Sequence, residues 1–207
     1  MTDHGPHRYL DQGSPIWRFA ERILVTCPGC EGLAIVSGSP RGGHRTLRCT
    51  TCARSSGADQ GAALWASGGG DQTAKARCPK CGHRNERKVH LPPGGTTEVA
   101  LRCPCGASHR VSVTAPFYVS ASPGLDPFFG LPLWLQTNVR GNLLWVWNEA
   151  HLDEIDRFVG AMLRERSPLA GNASMASRLP AWMKRANARE PMRKGLQRLR
   201  DRLLGGR

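Results

Sequence analysis

Eight cysteines fall between residues 27 and 105 and nowhere else in the chain. They come in four close pairs: CPGC at Cys27 and Cys30, CTTC at Cys49 and Cys52, CPKC at Cys78 and Cys81, and CPC at Cys103 and Cys105. Two cysteines separated by two residues can turn both sulfurs toward one ion, and two such turns on separate hairpins complete a tetrahedron. Eighteen residues separate the first two pairs and 21 the last two. Each gap has room for a strand, a turn and a return strand, and both match the spacing of four-cysteine zinc sites. The expected cofactor is zinc, as two structural ions. One is held by Cys27, Cys30, Cys49 and Cys52, the other by Cys78, Cys81, Cys103 and Cys105. Four thiolates also bind iron, which leaves a rubredoxin-like centre as a chemical alternative. A redox C-x-x-C occurs singly at a strand-to-helix junction, a pattern this region lacks.

Such sites are built for structure. A catalytic zinc keeps an open position for water, and four thiolates close the shell. No H-E-x-x-H motif and no nucleophile-elbow pattern accompanies them. Asp153, Glu154 and Asp156 cluster, but on the opening turns of an expected helix, where acids favour the dipole. His83 and His109 lie beside cysteines and could substitute as ligands, but with four thiolates per site they read as exposed polar residues, with a position beside phosphate as the functional alternative. No catalytic residue is therefore expected, and the chain reads as a non-enzyme.

The CPC pair is ambiguous by itself, since its single spacer falls outside the usual range for a zinc knuckle. It could be a damaged pair, a reactive dithiol, or the closing half of the second site. Its position decides for the last, because no other pair is free for Cys78 and Cys81. Gly106 follows and can adopt the left-handed backbone of a tight turn. The shortened knuckle is expected to make the second zinc the more labile.

The elements that must position these pairs repeat. RILVTCPGC, LAIVSG and RTLRCTTC read as strand, knuckle, strand, turn, strand and knuckle, rich in Val, Ile, Leu and Thr. KARCPKCGHR, ERKVHL, PPGG and TEVALRCPCG repeat the plan, and SHRVSVTAPFYV adds a final alternating strand. The expected organisation is a disordered N-terminal tail at 1–19, a first ribbon at 20–66, a flexible linker at 67–74, a second ribbon at 75–119, and a third segment at 120–207. That segment opens on a β-hairpin, LPLWLQTN-VRGN-LLWVWN. Asn148 then caps a helix whose apolar stripe is Leu152, Ile155, Phe158, Val159, Met162 and Leu163, ended by Ser167-Pro168. Short basic helices follow, one started or kinked by Pro180 and one with Pro191 in its first turn. The fold class is α+β: two small β zinc ribbons followed by a β-hairpin and several short C-terminal helices. Trp134, Trp145 and Trp147 are expected to form the core of the hairpin, with base stacking and a protein interface as alternatives.

Lys and Arg total 29 against 16 Asp and Glu, a formal charge of +13. That balance favours a polyanionic partner. Residues 161–207 hold 12 basic and 3 acidic residues. The nucleic-acid candidates there are Lys184, Arg185, Arg189, Arg193, Lys194, Arg198, Arg200 and Arg202. The expected partner is nucleic acid or a nucleoprotein complex. The alternative is a protein-protein adaptor that docks a larger enzyme through the ribbons and exposed aromatics. The longest apolar stretch is broken by Asn138, Arg140, Gly141 and Asn142, so no membrane span is expected. The polar N-terminus and clustered thiols suit a reducing cytoplasm. Oligomeric state is not legible.

The CPGC–CTTC and CPKC–CPC hairpins resemble zinc ribbons of the transcription factor IIB type, over about residues 20–119. The resemblance implies, for each unit, a small three-stranded antiparallel sheet with two knuckles around zinc. It is specific for fold and poor for function, because ribbons serve DNA, RNA and protein partners alike. The stretch from LWLQTN to ASRLPAWMKRA is similar to small bacterial zinc-ribbon proteins of unassigned function. Some carry names borrowed from the primosomal replication-restart helicase. This chain lacks a G-x-x-x-x-G-K-[ST] loop, and no helicase activity follows from the resemblance.

Overall fold

A computed structural model describes residues 8–39, 44–58, 66–116, 118–119, 122–167 and 174–205. In chain order it opens with β1 (Arg8–Asp11), a 3₁₀ turn (Ile16–Phe19), and the ribbon strands β2 (Arg22–Thr26), β3 (Leu33–Ser37), β4 (Arg45–Cys49) and β5 (Ser55–Ala58). A short strand β6 (Ala66–Ser67) precedes the second ribbon: β7 (Gly70–Arg77), β8 (Arg84–Leu91), β9 (Thr96–Arg102) and β10 (Ser108–Thr114). Then come β11 (Tyr118–Val119), the hairpin β12 (Gln136–Val139) and β13 (Asn142–Trp145), and helix α1 (Glu149–Gly160). The chain closes with β14 (Leu163–Arg166), α2 (Met175–Arg178), α3 (Ala181–Lys184) and α4 (Arg189–Gly205). The α+β class is as the sequence indicates. No helix among the described residues is long and apolar enough to cross a membrane.

The first ribbon is a four-stranded antiparallel sheet in the order β2-β3-β4-β5, one strand more than expected. The second consists of two antiparallel hairpins, β7-β8 and β9-β10, not one three-stranded sheet. The strand β7 begins at Gly70, inside the stretch expected to be a linker. These hairpins close over a small cluster of Ala74, Val99 and Leu101, with Val89, Val111 and Val113 packed against it.

The N-terminal segment differs from the expected disordered tail. Residues 1–7, with His4 and His7, lie outside the described residues. Residues 8–19 are ordered because they carry side chains that the body can bury. Tyr9 packs edge-on against Phe158 at 5.3 Å and donates its hydroxyl to Glu154 Oε1 at 2.7 Å. Burial and Glu154 push the phenol's pKa upward. β1 pairs in parallel with β14 over Arg8–Asp11 and Leu163–Arg166. The same pairing corrects the expected helix end. Helix α1 stops at Gly160, so Arg164 and Arg166 belong to a strand. Met162 is 67% exposed and does not continue the apolar stripe, and Leu163 is exposed as well.

One core joins the first ribbon to the C-terminal segment. β2 is an unbroken apolar run because both of its faces are covered. Ile23 and Val25 pack with Phe128, Leu133 and Trp147, and Leu24 packs with Leu135, Leu152 and Leu196. The backbone seals this junction, with Leu24 N donating to Trp147 O at 2.8 Å and Trp134 N to Leu24 O at 2.9 Å. Gly195 lets α4 approach the hairpin, since a Cβ there would lie 2.6 Å from Val139 Cγ2. Trp147 is fully buried. Trp134 and Trp145 pack against the core, as the hairpin reading expected.

His151 is the buried titratable group of this core. It stacks on Phe19 with ring centroids 4.9 Å apart, and its Nδ1 accepts Trp147 N–H at 3.2 Å. The proton of the neutral ring therefore sits on Nε2, which is buried without a hydrogen-bond partner. Burial pushes its pKa down to about 3 from 6.5. The unfolded chain takes up a proton that the folded chain refuses, so stability is lost as pH falls from about 6.5 toward about 3. The limiting slope is about 1.4 kcal/mol per pH unit. In urea titrations above the pH of zinc release, His151→Gln should flatten this slope. An unchanged slope would assign the acid sensitivity elsewhere.

Candidate metal centres

The opening knuckle of each ribbon is closed by the same backbone bonds. Cys27 N donates to Gly32 O at 2.8 Å and Glu31 N to Cys27 O at 3.0 Å. At the equivalent places Cys78 N donates to His83 O and Gly82 N to Cys78 O. The turn needs one residue in the left-handed region, and these are Glu31 (φ 60) and Gly82 (φ 73). The closing knuckles use Ala53 (φ 54) and Gly106 (φ 84). Gly106 thus holds the conformation expected of it, and Gly106 N donates to Cys103 O at 2.9 Å.

The sulfurs converge as the chemistry requires. In each group of four, all ligand atoms lie within 4.8 Å of one another. Cys27 and Cys52 sulfurs are 3.7 Å apart, and Cys30 and Cys49 3.5 Å. The second site repeats these spacings: 3.7 Å for Cys78 to Cys105 and 3.5 Å for Cys81 to Cys103. A tetrahedron with Zn–S of about 2.3 Å has edges of about 3.8 Å. Both donor sets therefore fit a structural zinc ion, and the short CPC pair closes its site as fully as CTTC does. When bound, the ion cross-links two hairpins and leaves no open position for chemistry.

Backbone donors ready two of the thiols for this role. N–H groups of Cys52 and Thr51 at 3.4 and 3.3 Å pull the Cys49 pKa down to about 6. The Cys105 N–H acts likewise on Cys103, also down to about 6. Gly32 N–H favours the Cys30 thiolate too, but hydrogen bonding to Cys49 and Cys52 outweighs it and lifts that thiol to about 12. Cys49 and Cys103 are thus held toward the thiolate form that zinc binds.

The two sites differ in what surrounds them. Cys27 and Cys49 belong to the core cluster that holds Ile23, Leu133 and Trp147. Neither that cluster nor the one around Leu152 draws a residue from 70–116 among the described residues. The second ribbon has a separate small cluster of Ala74, Val99 and Leu101, which includes none of its four cysteines.

Most of the basic residues singled out in the C-terminal segment have intramolecular partners. Arg200 bridges Asp153 at 2.9 Å and Asp156 at 2.8 Å, tying α4 to α1. Arg198 donates to Thr137 Oγ1 and Asn138 O on the hairpin. The Arg202 guanidinium lies over the Trp134 ring at 4.4 Å. Arg189 donates to Ala161 O, Lys184 to Ser177 O, and Lys194 pairs with Glu190 at 3.7 Å. Arg185 and Arg193 are exposed, and their side chains have no hydrogen bond or ion pair among the described residues. Arg193 lines a groove of about 680 Å³ with Arg8, Arg18, Arg157, Glu154 and Asp156.

The second ribbon carries cations that the sequence reading did not single out. The side chains of Lys80, Arg84, Arg87, Lys88, Arg102 and Arg110 are exposed and without a hydrogen bond or ion pair among the described residues. Their signal was the repeat itself, read pair by pair across the two hairpins. No protein-family model, curated protein or solved structure matches this chain.

Proposed function

We propose that this chain is a non-catalytic zinc-ribbon protein of the reducing cytoplasm that binds nucleic acid or a nucleoprotein complex through its basic and ribbon surfaces. The observation that carries the reading is the charge of +13 together with exposed Arg and Lys that find no partner among the described residues. Surplus cations at a surface attract phosphate by releasing condensed counterions. Two closed four-thiolate sites supply rigid presentation without an open metal position, which supports binding over catalysis. The resemblance to ribbons of the transcription factor IIB type, and to small bacterial ribbon proteins, is in keeping with a place beside nucleic acid.

The test is binding of the zinc-loaded chain to labelled DNA and RNA across a salt series, with affinity purification before and after nuclease. The expected result is an affinity that falls steeply with salt, and partners that disappear with the nucleic acid. Affinity independent of salt would sink the reading. Partners that survive nuclease would favour an adaptor that docks a larger protein machine.

A further inference from the structure

The two ribbons pair their first hairpins in the same register, so equivalent positions can be compared directly. In the first ribbon Thr26 faces Leu33, Leu24 faces Ile35, and Arg22 faces Ser37. In the second, Arg77 faces Arg84, Lys75 faces Glu86, and Thr73 faces Lys88. Alternate residues of a strand share a face, so each set of three pairs lies on one side of its hairpin. In the first ribbon that side is covered, since Leu24, Leu33 and Ile35 all pack into the body's core. In the second ribbon every one of the six residues is exposed. The face that docks the first ribbon has become a charged, open face in its duplicate.

We propose that this outer face of the β7–β8 hairpin, formed by Lys75, Arg77, Arg84 and Lys88 with Lys80 at its knuckle, binds the phosphodiester backbone of a nucleic acid. The proposal rests on the nucleic-acid reading above and gives it a site.

The charge arrangement argues for an absent anion. Arg77 and Arg84 stand directly opposite, and like charges so placed destabilise a sheet. Arg84, Lys88 and Lys80 have no partner among the described residues, while Arg77 reaches only the Gly82 carbonyl at 3.4 Å. The acids of this face are already engaged at the surface, Glu86 by Lys75 at 3.8 Å and Asp71 by His90 at 2.9 Å. Successive rows of one face are about 7 Å apart along the strands, so the cations form a track instead of a point.

Cations beside four thiolates also offset the charge of a filled zinc site, but that role does not explain these. The first ribbon closes the same kind of site with Thr26 and Leu33 where the second has Arg77 and Arg84, and its own knuckle cation, Arg54 lying against Gly29, matches only Lys80. Lys75 and Lys88 stand one and two rows further from the knuckle.

The experiment uses the full zinc-loaded chain and fluorescence anisotropy with labelled single-stranded DNA, duplex DNA and single-stranded RNA, with heparin as competitor. K75Q/R77Q/R84Q/K88Q should weaken binding on the order of tenfold to a hundredfold at low salt. It should also lower the salt slope by about 0.7–0.9 for each phosphate no longer neutralised. K75Q/K88Q, away from the knuckle, should show a smaller loss with both zinc ions retained, which separates binding from folding. R77K/R84K should keep most of the affinity, and R185Q/R193Q should lose less than the fourfold variant. If the fourfold variant binds as the parent does, this site is wrong and the nucleic-acid reading survives. If the parent binds no polynucleotide, both fail. Heparin binding equal to nucleic acid would overturn the assignment to a nucleic-acid backbone. So would loss of a nuclease-resistant protein partner in the variant.

Discussion

Cys49→Ser will unfold the body of the protein, whereas Cys103→Ser will unfold the second ribbon and leave the body folded. Both remove one ligand of four, and both sites have the same sulfur spacings, so the difference comes from the surroundings. Cys49 is part of the cluster in which Ile23, Val25, Leu133 and Trp147 are completely buried. Loss of its zinc opens β2 and β4, and β2 holds the body together through both of its faces. A structural zinc contributes about 10–16 kcal/mol apparent in small fingers. That is comparable to the whole stability of an ordinary domain, roughly 5–15 kcal/mol. Cys103 belongs to neither of the body's clusters, and its own ribbon has only the small cluster of Ala74, Val99 and Leu101 among the described residues.

The readout is already present in the sequence. Residues 70–116 contain no tryptophan, while Trp134, Trp145 and Trp147 pack in the body. Near-ultraviolet circular dichroism should survive Cys103→Ser, with zinc falling from two ions to one, and collapse in Cys49→Ser. Graded chelation of the parent chain should release one zinc first without changing the tryptophan signal. The expectation of a labile second site thus stands on a different cause. The short CPC knuckle does not spread its sulfurs, but the second ribbon has less buried apolar surface to hold its hairpins together once the ion leaves. A tryptophan signal that follows the first zinc released would overturn this order.

The metal sites were legible because their signal is local. Four knuckles announce themselves by cysteine spacing, and the strands between them by β-branched residues. Asn148 was readable as a cap for the same reason, and Pro180 and Pro191 as residues at helix starts. What the sequence hides is pairing at a distance. Arg8–Asp11 looks like polar tail until Leu163–Arg166 is set beside it, and neither segment has enough apolar content to signal a strand alone. Met162 and Leu163 extend the apolar period of α1 in sequence, but the chain has left the helix at Gly160. The basic tail misleads in a similar way. Composition shows Arg198, Arg200 and Arg202 as surplus charge, whereas Asn138, Asp153, Asp156 and Trp134 engage them. The unpartnered cations of the second ribbon become visible only when the duplicated hairpins are compared in register.

Asn148→Ala should cost about 3 kcal/mol or more, well beyond the roughly 1 kcal/mol of an ordinary N-cap. As a cap, Asn148 Oδ1 accepts His151 N–H at 2.9 Å. Its amide does a second job, donating to Phe19 O at 2.8 Å and Arg22 O at 2.6 Å. One buried side chain thereby fixes the start of α1 to the 3₁₀ turn and to the entry of β2. Truncation removes the donor that these two carbonyls share, and each buried group left unsatisfied costs about 1–3 kcal/mol. The two functions can be separated by choice of residue. Asn, Asp and Ser are nearly equivalent as plain N-caps. Here Asp retains the acceptor for His151 N–H but has no N–H to give, and turns a carboxylate oxygen toward two carbonyl oxygens. Urea denaturation with zinc saturating should therefore rank Asn148→Asp no better than Asn148→Ala, with Asn148→Ser between them and the parent. An aspartate variant as stable as the parent would mean that only the cap matters. The junction between ribbon and helix would then be held by apolar packing alone.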